Sequence, residues 1–200
     1  MIRSQLQAMA KVRRDVIHRV IGIPWFRVTL NDVVLASYPR SGRTWLQHLL
    51  LYALAPDHEM LADPEAMVPQ VDRLSFRADL GNAPRLCGRR WVKSHDKCRP
   101  EFLRGKAIYI VRDVRDVLLS YHRWRCSMNG YRYGLDRFVR QRLTGRDRYG
   151  SWQRHVENWL RHRDKVVWVR YEDLLGDTHH ELARILEGLE LSVSDARVAQ

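Results

Sequence analysis

The chain has 200 residues, 45% of them hydrophobic, which suits one globular domain, residues 1–200, with a core of its own. Its 35 basic and 23 acidic residues leave a formal net charge of +12, which fits an anionic partner (a phosphorylated ligand, nucleic acid or an acidic membrane face) or simply a soluble basic surface. Three cysteines, Cys87, Cys98 and Cys126, form no C-x-x-C pair, so neither a disulfide framework nor a zinc site is indicated, and a reducing, cytoplasmic setting is expected.

Met1 to Gly22 is basic and carries Leu6, Met9, Val16, Ile17 and Val20 without an uninterrupted apolar centre, which argues against a secretory signal. A membrane-surface helix and a transit peptide both fit; the favoured reading is an amphipathic helix in an extension over residues 1–32, packed on the domain and ended by Pro24. No apolar run is long enough to span a bilayer. Val33-Val34-Leu35-Ala36-Ser37-Tyr38 reads as a buried strand, Ser41-Gly42 as a turn, and Trp45 to Leu51 as a helix. Residues 56–86 hold four of the seven prolines and no clear period, so they read as an irregular, substrate-facing insertion with short helices. Trp91–His95 and Ala107–Arg112 are further strands, and Asp113 caps a helix running to about Arg125. A helix over Ser151–Arg163, a strand over Val166–Arg170 and a helix over His179–Leu189 complete the pattern. Alternating strands and helices predict an α/β layered fold with a central, mainly parallel sheet flanked by helices.

Ligands of such sheets sit at the carboxyl ends of the strands. The residues found there are Pro39-Arg40-Ser41-Gly42-Arg43-Thr44, then Lys93-Ser94-His95, then Arg112-Asp113. In the first loop, Gly42 permits a tight turn, the start of the following helix offers N–H groups to an anion, and Ser41, Thr44, Arg40 and Arg43 add hydroxyls and charge. A plain strand-to-helix turn fits that segment as well. It is not a kinase-type phosphate loop, since it has one glycine and no Lys after it. His95 is placed to accept a proton near neutral pH.

Tyr38-Pro39-Arg40-Ser41-Gly42-Arg43-Thr44-Trp45 resembles the 5′-phosphosulfate loop of the sulfotransferases that use 3′-phosphoadenosine-5′-phosphosulfate (PAPS), usually Tyr-Pro-Lys-Ser-Gly-Thr-Thr-Trp. Arg112 followed eight residues on by Ser120, Lys93-Ser94-His95, and Tyr149-Gly150-Ser151-Trp152 are similar to three further segments of that family. The resemblance covers about residues 33–191. It implies a P-loop-NTPase-like fold and transfer of a sulfuryl group from PAPS to a hydroxyl or amine acceptor, without a metal. By it, Arg40, Ser41, Gly42, Arg43 and Thr44 hold the 5′-phosphosulfate, Trp45 and Tyr149 contact the adenine, and Arg112 and Ser120 bind the 3′-phosphate. His95 is the general base, while Lys93 and Arg40 offset charge on the transferring group. Arg gives up its proton far less readily than Lys, so Arg40 is expected to act through charge rather than as an acid. Arg170-Tyr171-Glu172-Asp173-Leu174 also resembles a family segment and is read as structural, with Glu172 or Asp173 tying a loop down.

The acceptor class expected is a small molecule, lipid or saccharide, with no specific nucleic acid. Family members usually continue into a Ser-Phe segment and a Gly-rich segment that close over the cofactor, and neither is found before Gln200. That departure leaves open a truncated, non-catalytic nucleotide-binding protein. Arg123-Trp124-Arg125 and Arg146-Asp147-Arg148-Tyr149 leave open a nucleic-acid or polysaccharide binder, although no nucleic-acid motif is present.

Overall fold

The computed structural model describes residues 28–55, 63–72, 83–145 and 148–191. The helix read over Met1–Gly22 lies outside the described residues, as does much of the 56–86 insertion. Five strands form one sheet in the order β2-β3-β1-β4-β5. They are β1 (Asp32–Ser37), β2 (Arg85–Leu86), β3 (Arg89–Ser94), β4 (Lys106–Val111) and β5 (Val166–Arg170). β1 pairs in parallel with β3 and β4, and β4 in parallel with β5. Only β2, the edge strand of a hairpin with β3, runs antiparallel.

β1 is central because all six of its residues are buried, a run that only a strand covered on both faces can use. Alternation sorts its side chains. Val33 and Leu35 pack with Leu46, Leu50 and Leu54 of helix α1 (Arg43–Leu54) and with Leu182, Ile185 and Leu186 of the last helix. Val34 and Ala36 point to the opposite face, where Val92, Phe102, Tyr109, Val156 and Trp159 lie. The other helices follow in chain order: α2 (Pro64–Met67), α3 (Val114–Asn129), α4 (Leu135–Leu143), α5 (Trp152–Leu160), α6 (Tyr171–Gly176) and α7 (Thr178–Gly188). A third cluster, around Tyr38, Val117, Tyr121 and Phe138, fixes α3 and α4 to the loop after β1.

Three turns of the chain are held by single side chains. Asp113 caps α3, its carboxylate accepting from the Arg115 N–H at 2.8 Å. Ser151 caps α5 in the same way, accepting from Arg154 N–H. Buried Asp32 takes a two-pronged bond from Arg90, 2.9 Å from Nε and 2.5 Å from a terminal nitrogen, which pins the start of β1 to β3.

The parallel register brings the functional ends to one level. Ala36 stands opposite Ser94, and Ser37 opposite Ile110. The chain leaves β1 for a neighbour on one side and returns to build β4 and β5 on the other. The carboxyl edge around β1 is thus the switch point at which open α/β sheets form their crevice.

Candidate active site

The loop after β1 turns back on itself through left-handed backbone at Arg40, φ 69°, and at Gly42, φ 92°. The first is strained for an arginine and costs of order 1 kcal/mol. The second demands glycine twice over: a Cβ there would lie 2.6 Å from Cε2 of Tyr171 and closer still to its Cδ2. Gly42 opens α1, which has no side-chain cap at its N-terminus. Ser41 is buried, and its hydroxyl has no hydrogen-bond partner among the described residues. A buried hydroxyl left in this condition at a helix N-terminus is a donor held for an anion.

Arg40 leaves the loop and its Nε donates to Ser120 Oγ at 3.2 Å, joining two residues 80 apart in sequence. Arg112, at the end of β4, lies with its guanidinium 4.2 Å over the ring of Tyr171 and 3.6 Å from the Asp116 carboxylate. Arg112 thus pairs with Asp116, while Asp113 is taken by Arg115 at 2.7 Å. The Arg115 side chain, with the Arg115 N–H, holds the Asp113 carboxyl down at about 2. Glu172 accepts from the Asp113 N–H at 2.9 Å, which is the loop tether expected of the Arg170–Leu174 segment. Arg40, Ser41, Gly42, Arg112 and Ser120 thus share one corner of the crevice. Thr44 is exposed on the first turn of α1 and Arg43 is buried.

The aromatic side chains divide differently from the sequence expectation. Trp45 meets Tyr171 edge to face at 5.5 Å, and Tyr171 also covers Gly42 and underlies Arg112. Tyr149 is elsewhere: its ring lies 5.5 Å from His95 and its hydroxyl donates to Asp72 Oδ2 at 3.1 Å. A residue read as structural, Tyr171, therefore lines the phosphate-loop side, while Tyr149 stands with the base.

His95 is fixed at three points. Its Nδ1 meets the Ser37 carbonyl at 2.9 Å, its own N–H donates to Asp72 Oδ1 at 2.6 Å, and its carbonyl accepts from His155 Nε2 at 2.9 Å. A carbonyl can only accept, so Nδ1 carries the proton and Nε2 of the neutral ring carries the lone pair. Burial, then the nearby Arg43 guanidinium, push the imidazole below its ordinary range; Asp72 and the Ser37 carbonyl act the other way, and His155 adds to the lowering. His155 is itself buried, accepts from the Tyr109 hydroxyl at 2.8 Å, and is driven down to about 4 by desolvation.

Lys93 is almost wholly buried on the α1 face and its Nζ donates to Gln47 Oε1 at 3.2 Å, one helical turn from Arg43. Asp72 and Gln47 escaped the sequence reading, and His155, which follows the Tyr149–Trp152 segment, was given no site role in it. Asp72 sits in the insertion between α1 and β2, tied there by a bridge between Gln70 and Lys93, and its contacts to the site are with Ser94, His95 and Tyr149, 22 or more positions away. Among the described residues no group of His, Cys, Asp or Glu is placed to hold a metal ion, and no helix is long and apolar enough to cross a membrane.

A left-handed glycine loop under a basic corner, with a neutral histidine one strand away, sets positive charge and hydrogen-bond donors beside a base. Comparison with known proteins gives the family. The profile of the sulfotransferase domain matches residues 30–200, and the chain belongs to that family. Rat sulfotransferase 1A1 is 29% identical over 187 residues, covering 84% of this chain and 62% of the relative. Human sulfotransferase 4A1 is 30% identical over 176 residues, covering 82% and 60%. Among solved structures, mouse sulfotransferase SULT7A1 complexed with PAP superposes with a TM-score of 0.69 at 26% identity, covering 87% of this chain and 64% of that one. An Arabidopsis thaliana putative steroid sulphotransferase gives 0.70 at 23% identity, a likeness of fold. The chain spans about three fifths of the length of the curated relatives it matches.

Proposed function

We propose that the chain transfers a sulfuryl group from PAPS to a hydroxyl or amine on a small acceptor. The observation that carries this reading is the seat of His95. Its Nδ1 is bound to the last carbonyl of β1, so Nε2 is left as a base beside the glycine loop that the same strand delivers. The residues of that loop fit the donor: Ser41 has a buried hydroxyl to give, and Gly42, in left-handed backbone, lets the loop turn back onto the uncapped start of α1.

PAPS, when bound, supplies a sulfuryl group activated by its 5′-phosphate. Nε2 of His95 takes the acceptor proton as the acceptor oxygen or nitrogen attacks sulfur, and the bond from sulfur to the phosphate oxygen breaks. Arg40, Ser41, Arg43 and Thr44 hold the phosphate that gains charge, with Lys93 adding its charge from the α1 side. Arg112 and Ser120 take the 3′-phosphate. Trp45 and Tyr171, rather than Trp45 and Tyr149, flank the adenine, since they are the aromatic pair at the loop. Tyr149 faces the acceptor beside His95.

A relative from Photinus pyralis is named a luciferin sulfotransferase and one from Cavia porcellus a 3-alpha-hydroxysteroid sulfotransferase, which supports a small hydroxyl-bearing acceptor here. The cysteines at positions 87, 98 and 126 are free thiols, which supports a cytoplasmic setting. Calorimetric titration with adenosine 3′,5′-bisphosphate, with ATP as control, tests the donor site, and transfer of labelled sulfate from PAPS to a panel of phenols and alcohols tests the reaction. Binding without transfer would leave a nucleotide-binding protein. No binding by the folded chain would overturn the reading.

A further inference from the structure

Asp72 is fully buried and carries more contacts to the site than any role in the reaction described so far requires. Its Oδ1 accepts from Ser94 Oγ at 2.9 Å and from the His95 N–H at 2.6 Å. Its Oδ2 accepts from Tyr149 OH at 3.1 Å and from the Gln70 amide. A carboxylate removed from water is costly unless its lone pairs are filled, and here each oxygen has two donors. The result is a negative charge fixed under the base and bonded at once to the base's main chain and to the tyrosine that packs on its ring.

We propose that Asp72 is a positioning residue of the sulfotransfer reaction, holding His95 and Tyr149 in one arrangement and offsetting the positive charge His95 acquires with the acceptor proton. The groups that face His95 are Asp72, Arg43 from α1, His155 from α5 and Tyr149 from the loop before it. Of these Asp72 alone is anionic near neutral pH. Arg43 opposes an imidazolium, His155 is neutral, and the Tyr149 hydroxyl is kept protonated by burial and by Asp72 itself. Burial resists the charge on Asp72, a protonated His95 favours it, and the bonds from the His95 N–H, Ser94 and Gln70, which are in place whether or not the ring is charged, also hold the carboxyl below the usual range. The anion is therefore in place before the proton moves, and no rearrangement is needed to receive it.

The kinetic consequence rests on the sulfotransfer reading; the coupling between the two residues does not, so each has its own test. In the unmodified chain labelled with 13C and 15N, NMR follows the Asp72 carboxyl carbon and the His95 ring nitrogens as pH is lowered. The Asp72 resonance is expected to move at the pH where His95 titrates, with Nδ1 as the protonated nitrogen above it. An Asp72 carboxyl carbon indifferent to the His95 titration overturns the proposal. In the kinetic arm, Asp72→Asn lowers the transfer rate at least about tenfold and moves the acidic limb of kcat/KM to lower pH, because the base loses its counter-charge. Asp72→Glu restores the position of that limb. A folded Asp72→Asn variant with the original limb overturns the proposal too. Should the unmodified chain transfer nothing, the sulfotransfer reading fails, and the NMR titration still decides whether Asp72 and His95 are coupled.

Discussion

Replacing Gly42 by alanine tests the donor loop at its tightest point. Two costs are readable from the structure. The residue adopts φ 92°, where an L side chain is disfavoured by about 1–2 kcal/mol. The new Cβ would also lie 2.6 Å from Cε2 of Tyr171, a ring that cannot swing freely because Trp45 meets it at 5.5 Å and Arg112 covers it at 4.2 Å. Forcing such a ring aside costs about 1–3 kcal/mol. The sum is about 2–5 kcal/mol, or a fall in Tm of roughly 4–20 °C for a domain of this size. Gly130→Ala is the internal control, with φ 61° and open space around the added carbon, so only the backbone cost of about 1–2 kcal/mol applies. Scanning calorimetry of the two variants, followed by titration with adenosine 3′,5′-bisphosphate, separates stability from binding. Gly42→Ala is expected to be the less stable of the two and to bind at least about tenfold more weakly, a loss of about 1.4 kcal/mol. Equal stability in the two variants with unchanged binding would refute the interlock between the loop and Tyr171.

Three further outcomes are expected. His95→Ala lowers sulfuryl transfer by about 10²–10⁴ while bisphosphate binding persists, checked by labelled-sulfate assay beside calorimetry. Arg112→Ala removes charge-assisted bonds worth about 1.5–3 kcal/mol, so bisphosphate binding weakens by about 10–150-fold and its salt dependence becomes shallower when titrated at two ionic strengths. His155, held at about 4 in the folded chain against about 6.5 when unfolded, refuses a proton that the unfolded chain accepts. Its contribution to stability is complete above about pH 6.5 and is lost as the pH falls toward about 4, by a few kcal/mol in urea unfolding measured across that window.

The four parallel strands were legible because they are short apolar runs with no competing reading, whereas the two-residue edge strand β2 fell in the stretch read as irregular. Val166–Arg170 is observed at its expected bounds, and β1 and β4 begin one residue earlier than their apolar runs do and end one earlier. Helix α5 was visible from Ser151, whose hydroxyl caps it. Helix α4 was not read, although Leu135, Phe138, Val139 and Leu143 recur at helical spacing, because the segment is short, rich in arginine and buries only Phe138. Nor was α6, which is six residues long and buries Leu174 alone. The residues grouped at the phosphate loop and at β4 do meet in the crevice, since a chemistry that follows strand ends is local in sequence. Tyr171 and Asp72 show the limit of such reading. The first acquires its place by filling the gap above a glycine 129 positions earlier, and the second by reaching a main-chain N–H across an irregular stretch. Neither contact leaves a period, a cap or a spacing to detect.

The attachment of Asp72 bears on any attempt to redirect this scaffold to new acceptors. The stretch between α1 and β2 is the cassette such an attempt would exchange between related chains, and it is joined to β3 where Pro69 and Val71 bond the main chain of Lys93. Yet the cassette also delivers the carboxylate that bonds the His95 main chain. A chimera that imports a foreign pocket lining must carry a carboxylate to the same spot, or it trades a new acceptor for a displaced base. Libraries that randomise this stretch should therefore keep Asp72 constant, and shuffled variants that bind their intended acceptor yet fail to turn over are best inspected first at that position.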